Sequence, residues 1–188
     1  MHKQISTKEL IKEKFIEMME DRPFYKIKVA HFVQFVGISR STFYFYFDST
    51  DSVLETIEDE FIAGLVEENR LNQKFKEKTT PALLVASVLF SSVEYLRKNL
   101  KVYRILSGPH GSTTFQLRFA ERIMLVVDRI FLSFDLIESE LERKMIREYV
   151  AGGQVYLLNW WIEHEEEVDV EELFVFDVQT LNNLLGHH

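Results

Sequence analysis

Lys28-Val29-Ala30-His31-Phe32-Val33-Gln34-Phe35-Val36-Gly37-Ile38-Ser39-Arg40-Ser41-Thr42-Phe43-Tyr44-Phe45-Tyr46-Phe47 is the stretch on which the fold turns. Val29, Phe32, Val33 and Val36 recur at the period of a helix face, and Gly37 then offers the left-handed conformation that ends helices. Ser39 stands where a third, short helix needs its cap. The run Phe43 to Phe47 is ambiguous in isolation, because Phe on one side and Tyr on the other is also the alternation of a strand. A strand needs a partner, and no second alternating run stands near. Helix is therefore expected, with Phe43 and Phe47 one turn apart on a buried side and Arg40, Ser41 and Tyr44 on the opposite one. Two short helices around Gly37 make a helix-turn-helix. By spacing alone that unit is either a nucleic-acid reader or a surface corner between two helices.

Outward from this stretch the pattern stays helical. Ser6-Thr7-Lys8-Glu9 has the spacing of a capping box, and Ile11, Phe15, Met18 and Met19 follow on one stripe until Asp21-Arg22-Pro23 stops helix 1. Asp48, Ser49 and Asp51 supply cap and N-terminal charge for a long fourth helix, Thr50 to Lys74. Pro81 to Lys98 is apolar on most of its sides, as a buried helix is. A short helix from Val102 to Leu106 and the loop Gly108-Pro109-His110-Gly111 come next. Helices from Ser112 to Ser133, Ile137 to Glu163 and Val170 to Leu185 complete an all-α chain of about nine helices. Gly186-His187-His188 reads as the remnant of a tag.

Composition sets the function classes. The 188 residues include 46% hydrophobic side chains but only 7 Gly and 3 Pro, enough for a core and too few breakers for a disordered chain. With no Cys, disulfides, cysteine nucleophiles and thiolate metal sites are excluded. The longest apolar stretch, Ala82 to Phe90, is too short to span a bilayer and no apolar leader is present, so a soluble, cytoplasmic protein is expected. The net charge of −8 is unevenly spread: residues 1–50 hold 8 Lys and Arg against 6 Asp and Glu, leaving 14 against 24 in the remainder. A polyanion would be met at the N-terminal end.

At residues 28–47 a resemblance becomes specific. The apolar-periodic helix, Gly37-Ile38-Ser39, two variable residues, and then Thr42-Phe43-Tyr44-Phe45-Tyr46-Phe47 resemble the DNA-binding motif of the tetracycline-repressor (TetR) family, whose pattern runs G-[VI]-S, two residues, T-[FL]-Y-x-[YH]-F. With helix 1 and the start of helix 4, the close resemblance covers residues 6–62; beyond that only length and helix order are similar. It implies a helix-turn-helix DNA-binding domain over residues 1–50 and a helical ligand-binding and dimerisation domain over 51–185. It also implies that Thr42, Tyr44 and Tyr46 lie at the DNA backbone, that Arg40 and Ser41 read sequence, and that Ser39, the cap, belongs to the same DNA-binding set. Lys28 stands where the family often has Thr or Ser as cap and phosphate ligand; Lys cannot cap, though its ammonium can reach a phosphate. Thr50 stands where the family commonly has Lys, which removes one cation and about one unit of salt slope.

Other chemistries find little footing. His31, His110 and His164 have no metal-ligand spacing, and the acidic run Glu163, Glu165, Glu166, Glu167, Asp169 lacks the Gly and alternation of a calcium loop. Neither a catalytic triad order nor a dinucleotide fingerprint occurs, so no enzyme, metal or cofactor is expected. In the C-terminal part Phe61, Leu65, Phe90, Tyr103, Phe115, Phe119 and Tyr156 are candidates to line an apolar effector pocket, the alternative being a filled core. Gly152-Gly153 inside a helix costs about 1 kcal/mol per residue against Ala, which close approach of a second subunit would offset. The last two helices are therefore expected to pair with their copies through Leu141, Met145, Tyr149, Gly152, Gly153, Tyr156, Leu173, Leu181 and Leu184. The expected function is a homodimeric transcriptional repressor that binds an inverted-repeat operator and is released by a hydrophobic effector. A regulator whose second domain takes a partner protein is the alternative, with a helical carrier or enzyme as a third.

Overall fold

The computed structural model of the chain describes residues 6–72, 80–134 and 139–185. These residues are helical throughout: α1 (Thr7–Met19), a single 3-10 turn (Phe24–Lys26), α2 (Val29–Val36), α3 (Arg40–Tyr46), α4 (Thr50–Asn72), α5 (Pro81–Lys98), α6 (Leu100–Ser107), α7 (Thr113–Phe134), α8 (Glu140–Glu163) and α9 (Val170–Leu185). The Phe/Tyr alternation is thus a helix. The all-α expectation and the number of helices hold among the described residues. No helix among them is long and apolar enough to cross a membrane.

Local chemistry explains the boundaries. Ser6 and Ser39 cap α1 and α3 by accepting the backbone N–H three residues on, Glu9 at 3.2 Å and Thr42 at 3.0 Å. Gly37 ends α2 with φ 78°, the left-handed conformation in which a Cβ is strained. α4 is started by a reciprocal pair: Ser52 N–H donates to Ser49 Oγ and Ser49 N–H donates to Ser52 Oγ, both at 3.1 Å. Helix 8 differs from expectation. It starts at Glu140, because Ser139 is extended and accepts the Glu142 N–H at 3.3 Å; the Ser139-x-x-Glu142 spacing carries this signal. The expected first residue, Ile137, lies outside the described residues, as do Lys74 and Gly186-His187-His188.

The chain packs as two compact units. One consists of Met1–Ala63 with Asn99–Gln116, the other of Gly64–Lys98 with Leu117–His188, so the sequence division at residue 50 falls inside the first. The core of the first unit around the helix-turn-helix is an aromatic chain: Phe15 meets Phe32 edge-on at 5.5 Å, Phe32 meets Phe43 at 6.0 Å, and Phe43 meets Phe47 at 6.2 Å. Each such ring pair contributes about 0.5–1.5 kcal/mol beyond its buried area, and together they fix the roll of the short α3. Lys12 of α1, almost fully buried, ties α1 to α4 through ion pairs with Glu60 and, at 2.8 Å, with Glu9. In the second unit α9 packs along α5, and its buried stripe is Val170, Leu173, Asp177, Leu181 and Leu185.

Candidate nucleic-acid interface

Seven residues make α3, and its two sides are sharply different. Phe43 and Phe47 are buried, whereas Arg40, Ser41, Tyr44 and Tyr46 are exposed and Thr42 is half-buried. Ser39 Oγ sits at the hub of a small hydroxyl cluster, 2.8 Å from Ser41 Oγ and 2.8 Å from Thr42 Oγ1. That cluster holds the entry of α3 and presents hydroxyl groups there. Lys28 occupies the cap position of α2 with an extended backbone, no side-chain cap bond and an exposed side chain. Thr50 is the first residue of α4 and half-buried, beside the Ser49–Ser52 cap. Of the eight residues expected at DNA, seven therefore gather around α2 and α3 and the eighth opens the following helix. The sequence reading passed over Phe45, which is 80% exposed on α3 with its ring edge-on to Tyr46 at 4.9 Å.

The aromatics expected to line an effector pocket do not form one set. Phe61, Tyr103 and Phe115 are buried in the first unit and touch one another, with ring centroids 6.0, 5.7 and 6.2 Å apart. Burial pushes the Tyr103 hydroxyl up to about 12. Leu65 and Phe119 are buried in the second unit, and Phe90 turns to Phe174 at 5.8 Å. Tyr156 is 81% exposed on α8, so it does not belong with the buried rings.

α8 instead carries a second apolar face. At about 100° per residue, Leu141, Met145, Tyr149, Gly152, Gly153, Tyr156 and Trp160 fall within about 120° of arc. All of them are exposed. The opposite side of the same helix, with Val150, Ala151, Leu158, Trp161 and Ile162, is buried. The exposed face runs into a groove of about 620 Å³ bounded by Tyr149, Tyr156, Trp160, Phe176 and Leu184. A Cβ built on Gly152 or Gly153 meets nothing within 4 Å. Leu173 and Leu181, expected at an interface, are instead only 3% exposed; they turn inward on the α9 stripe.

At the floor of this groove lies a polar pair that sequence reasoning also missed. Gln154 and Asp177 are buried, and Gln154 Nε2 donates to Asp177 Oδ1 at 2.7 Å. Gln154 Oε1 and Asp177 Oδ2 have no partner among the described residues. Burial raises the Asp177 carboxyl to about 6. Of the three histidines singled out in the sequence, His110 Nδ1 lies 2.7 Å from the Met19 carbonyl, His164 stacks on Trp160 with centroids 4.5 Å apart, and His31 is exposed on α2. Among the described residues no group of His, Asp and Glu is arranged to hold a metal ion.

With this geometry in view, likeness to known proteins is informative. Residues 86–183 match the family TetR_C_8, described as the transcriptional regulator C-terminal region. The chain belongs to the TetR family of transcriptional regulators. The nucleoid occlusion factor SlmA of Pasteurella multocida is 27% identical over 128 residues, which is 68% of this chain and 61% of that protein. The transcriptional regulator EthR of Mycobacterium tuberculosis is 47% identical over 45 residues, 24% of this chain and 21% of its own. The chain thus spans less than two thirds of the length of these curated relatives. Among solved structures, the regulator FadR of Bacillus subtilis in complex with stearoyl-CoA shares the fold, with a TM-score of 0.65 at 14% identity over 92% of this chain and 96% of that one.

Proposed function

We propose that this regulator acts as a homodimer that grips an inverted-repeat operator with two copies of α3, represses transcription there, and lets go when a hydrophobic effector binds. The observation that carries the reading is the two-sided α3: Phe43 and Phe47 pin it to the core while Arg40, Ser41 and Tyr44 point away from it. Arg40 and Ser41 meet base edges in the major groove. Lys28, Thr42, Tyr44 and Tyr46 meet phosphates, which position the helix without reading sequence. The domain's small positive charge and the neutral Thr50 leave nonspecific attraction weak, so affinity depends on two reading heads at once.

The second copy docks on the bare face of α8. With a twofold axis at Gly152-Gly153, the two helices run antiparallel and close, and Tyr149 of each, three residues before the pair, faces Tyr156 of the other, three after it. Missing Cβ atoms are what permit that approach. Leu141, Met145 and Leu184 extend the contact. Two α3 helices then reach successive major grooves about 34–36 Å apart.

The effector acts at the cluster of Phe61, Tyr103 and Phe115, whose rings part to admit an apolar compound. Phe61 belongs to α4, the helix that begins directly after α3. FadR of Bacillus subtilis, with its stearoyl-CoA, is a precedent for an acyl ligand on this fold. Differential affinity for two states, typically about 1–3 kcal/mol, is sufficient for release. Gel-shift competition with genomic fragments tests the whole: one short inverted repeat should outcompete bulk DNA, and a hydrophobic compound should lower that affinity. Equal binding to all fragments would refute the regulator reading.

A further inference from the structure

Phe45 lies at the outermost point of α3. At about 100° per residue, Phe45 falls about 160° round the helix from the buried Phe43. Ser41 lies one turn before it, about 40° round the wheel, while Tyr44 and Arg40 lie further round on one side, at about 100° and 140°. Its exposure of 80% exceeds that of Tyr44, at 54%, and Tyr46, at 37%. A position where packing decides nothing favours a good helix former, and Phe is a poor one, so the fold gives no reason for this ring. Ring contact with Tyr46 at 4.9 Å and 89° holds it edge-on, which restricts its rotation while leaving its far side bare.

If α3 enters a major groove, its outermost side chain meets the floor of that groove before any other does. Most of the base edge there consists of hydrogen-bonding groups; the one methyl group it offers is the C5-methyl of thymine, and an apolar side chain such as Phe recognises that methyl. A Phe set against any other base edge would strip water from donors and acceptors and return nothing. We propose that Phe45 is a specificity-determining residue that reads a thymine methyl group in each operator half-site, on the Ser41 side of the helix. This assignment rests on the regulator reading and deepens it by naming a base.

Selection from a randomised duplex pool by the full-length protein supplies an operator. Each thymine is then replaced singly by deoxyuridine, which removes only the methyl. One thymine per half-site should prove sensitive, with binding weakened about fourfold, the factor carried by one buried methyl. Phe45→Ala should bind the parent operator more weakly by a similar factor and be indifferent to that replacement, while Phe45→Leu, still apolar, should keep much of the sensitivity. Because Phe45 is exposed, both variants should retain the wild-type circular dichroism and melting temperature. Wild-type protein blind to every deoxyuridine, or a Phe45→Ala protein that still senses the same methyl, would overturn the assignment while leaving DNA binding intact. Failure to select any sequence from the pool would remove the regulator reading and this assignment with it.

Discussion

Two faces of this protein lie bare, and they are bare in different ways. The outward side of α3 mixes a guanidinium, hydroxyls and rings on seven residues; the outward side of α8 is a mostly apolar stripe of Leu, Met, Tyr and Trp over five turns, with two glycines at its middle and Glu142 and Asn159 as polar members. A surface meant for a polyanion must offer charge and hydrogen bonds along with shape, because phosphates and base edges remain hydrated until something replaces the water. A surface meant for a copy of itself needs none of that. It needs apolar area and a place where two backbones come close. Exposure alone would not separate these roles; the chemistry of the exposed atoms does.

Gly152→Leu should break the comparison most sharply. Nothing lies within 4 Å of the added carbon, so the protomer should fold, and the helix itself gains about 1 kcal/mol by losing a glycine. Sedimentation at micromolar concentration should show the mass of one chain instead of two. Operator affinity should fall about a hundredfold or more as the second reading head is lost. A dimeric Gly152→Leu protein would remove α8 from the interface.

Substitutions on α3 should act the other way, leaving the mass unchanged. Arg40→Ala should cost about 1–3 kcal/mol at one base pair of each half-site and relax preference there. Tyr44→Phe should cost about 1 kcal/mol on every sequence alike, since a phosphate contact carries no base information. Quantitative gel shifts on a panel of single-base operator variants distinguish the two patterns, and equal loss across the panel for Arg40→Ala would move base reading elsewhere on the helix.

One further effect touches stability and not DNA, and concerns the floor of the α8–α9 groove. Asp177 titrates near 3.8 when unfolded and near 6 when folded, because burial disfavours its charge. Between those values the native protein holds the proton that the unfolded chain has released, so the contribution of this group to stability is greatest below about pH 4 and falls as pH rises to about 6. The loss is at most about 3 kcal/mol. Asp177→Asn should therefore flatten the melting temperature between pH 4 and 6 and raise it by several degrees at pH 7.5. Its amide can donate to the Gln154 Oε1 that now lacks a partner. Unchanged pH dependence in the variant would show that other carboxylates govern it.

Much of this was legible in the residues. Ser6, Gly37 and Ser39 announce their turns because caps are local chemistry, and the pair Phe43 and Phe47 announces the buried side of α3 because a short helix has few ways to face. The interior was harder. Leu173 and Leu181 looked as available as Leu141, since apolar periodicity marks a face without saying whether the protomer or its copy covers it. Tyr156 was placed with the buried rings for the same reason. Two signals were present and passed over: Asp177 stands amid an i, i+4 run of Val and Leu, and Phe45 falls on the wrong side of the wheel from the other two Phe residues.

Because Gly152 and Gly153 meet nothing inside the protomer, a newly synthesised chain that has not found its copy carries a helix weakened at mid-length beneath an uncovered oily stripe. Both features invite chaperones and proteases, which act on whatever opens easily or exposes apolar surface. On the homodimer reading, the lifetime of the chain in a cell then rises with its own concentration. Synthesis below the pairing threshold leaves almost no protein instead of a reservoir of idle single chains, and the amount present becomes a thresholded response to how strongly its gene is expressed.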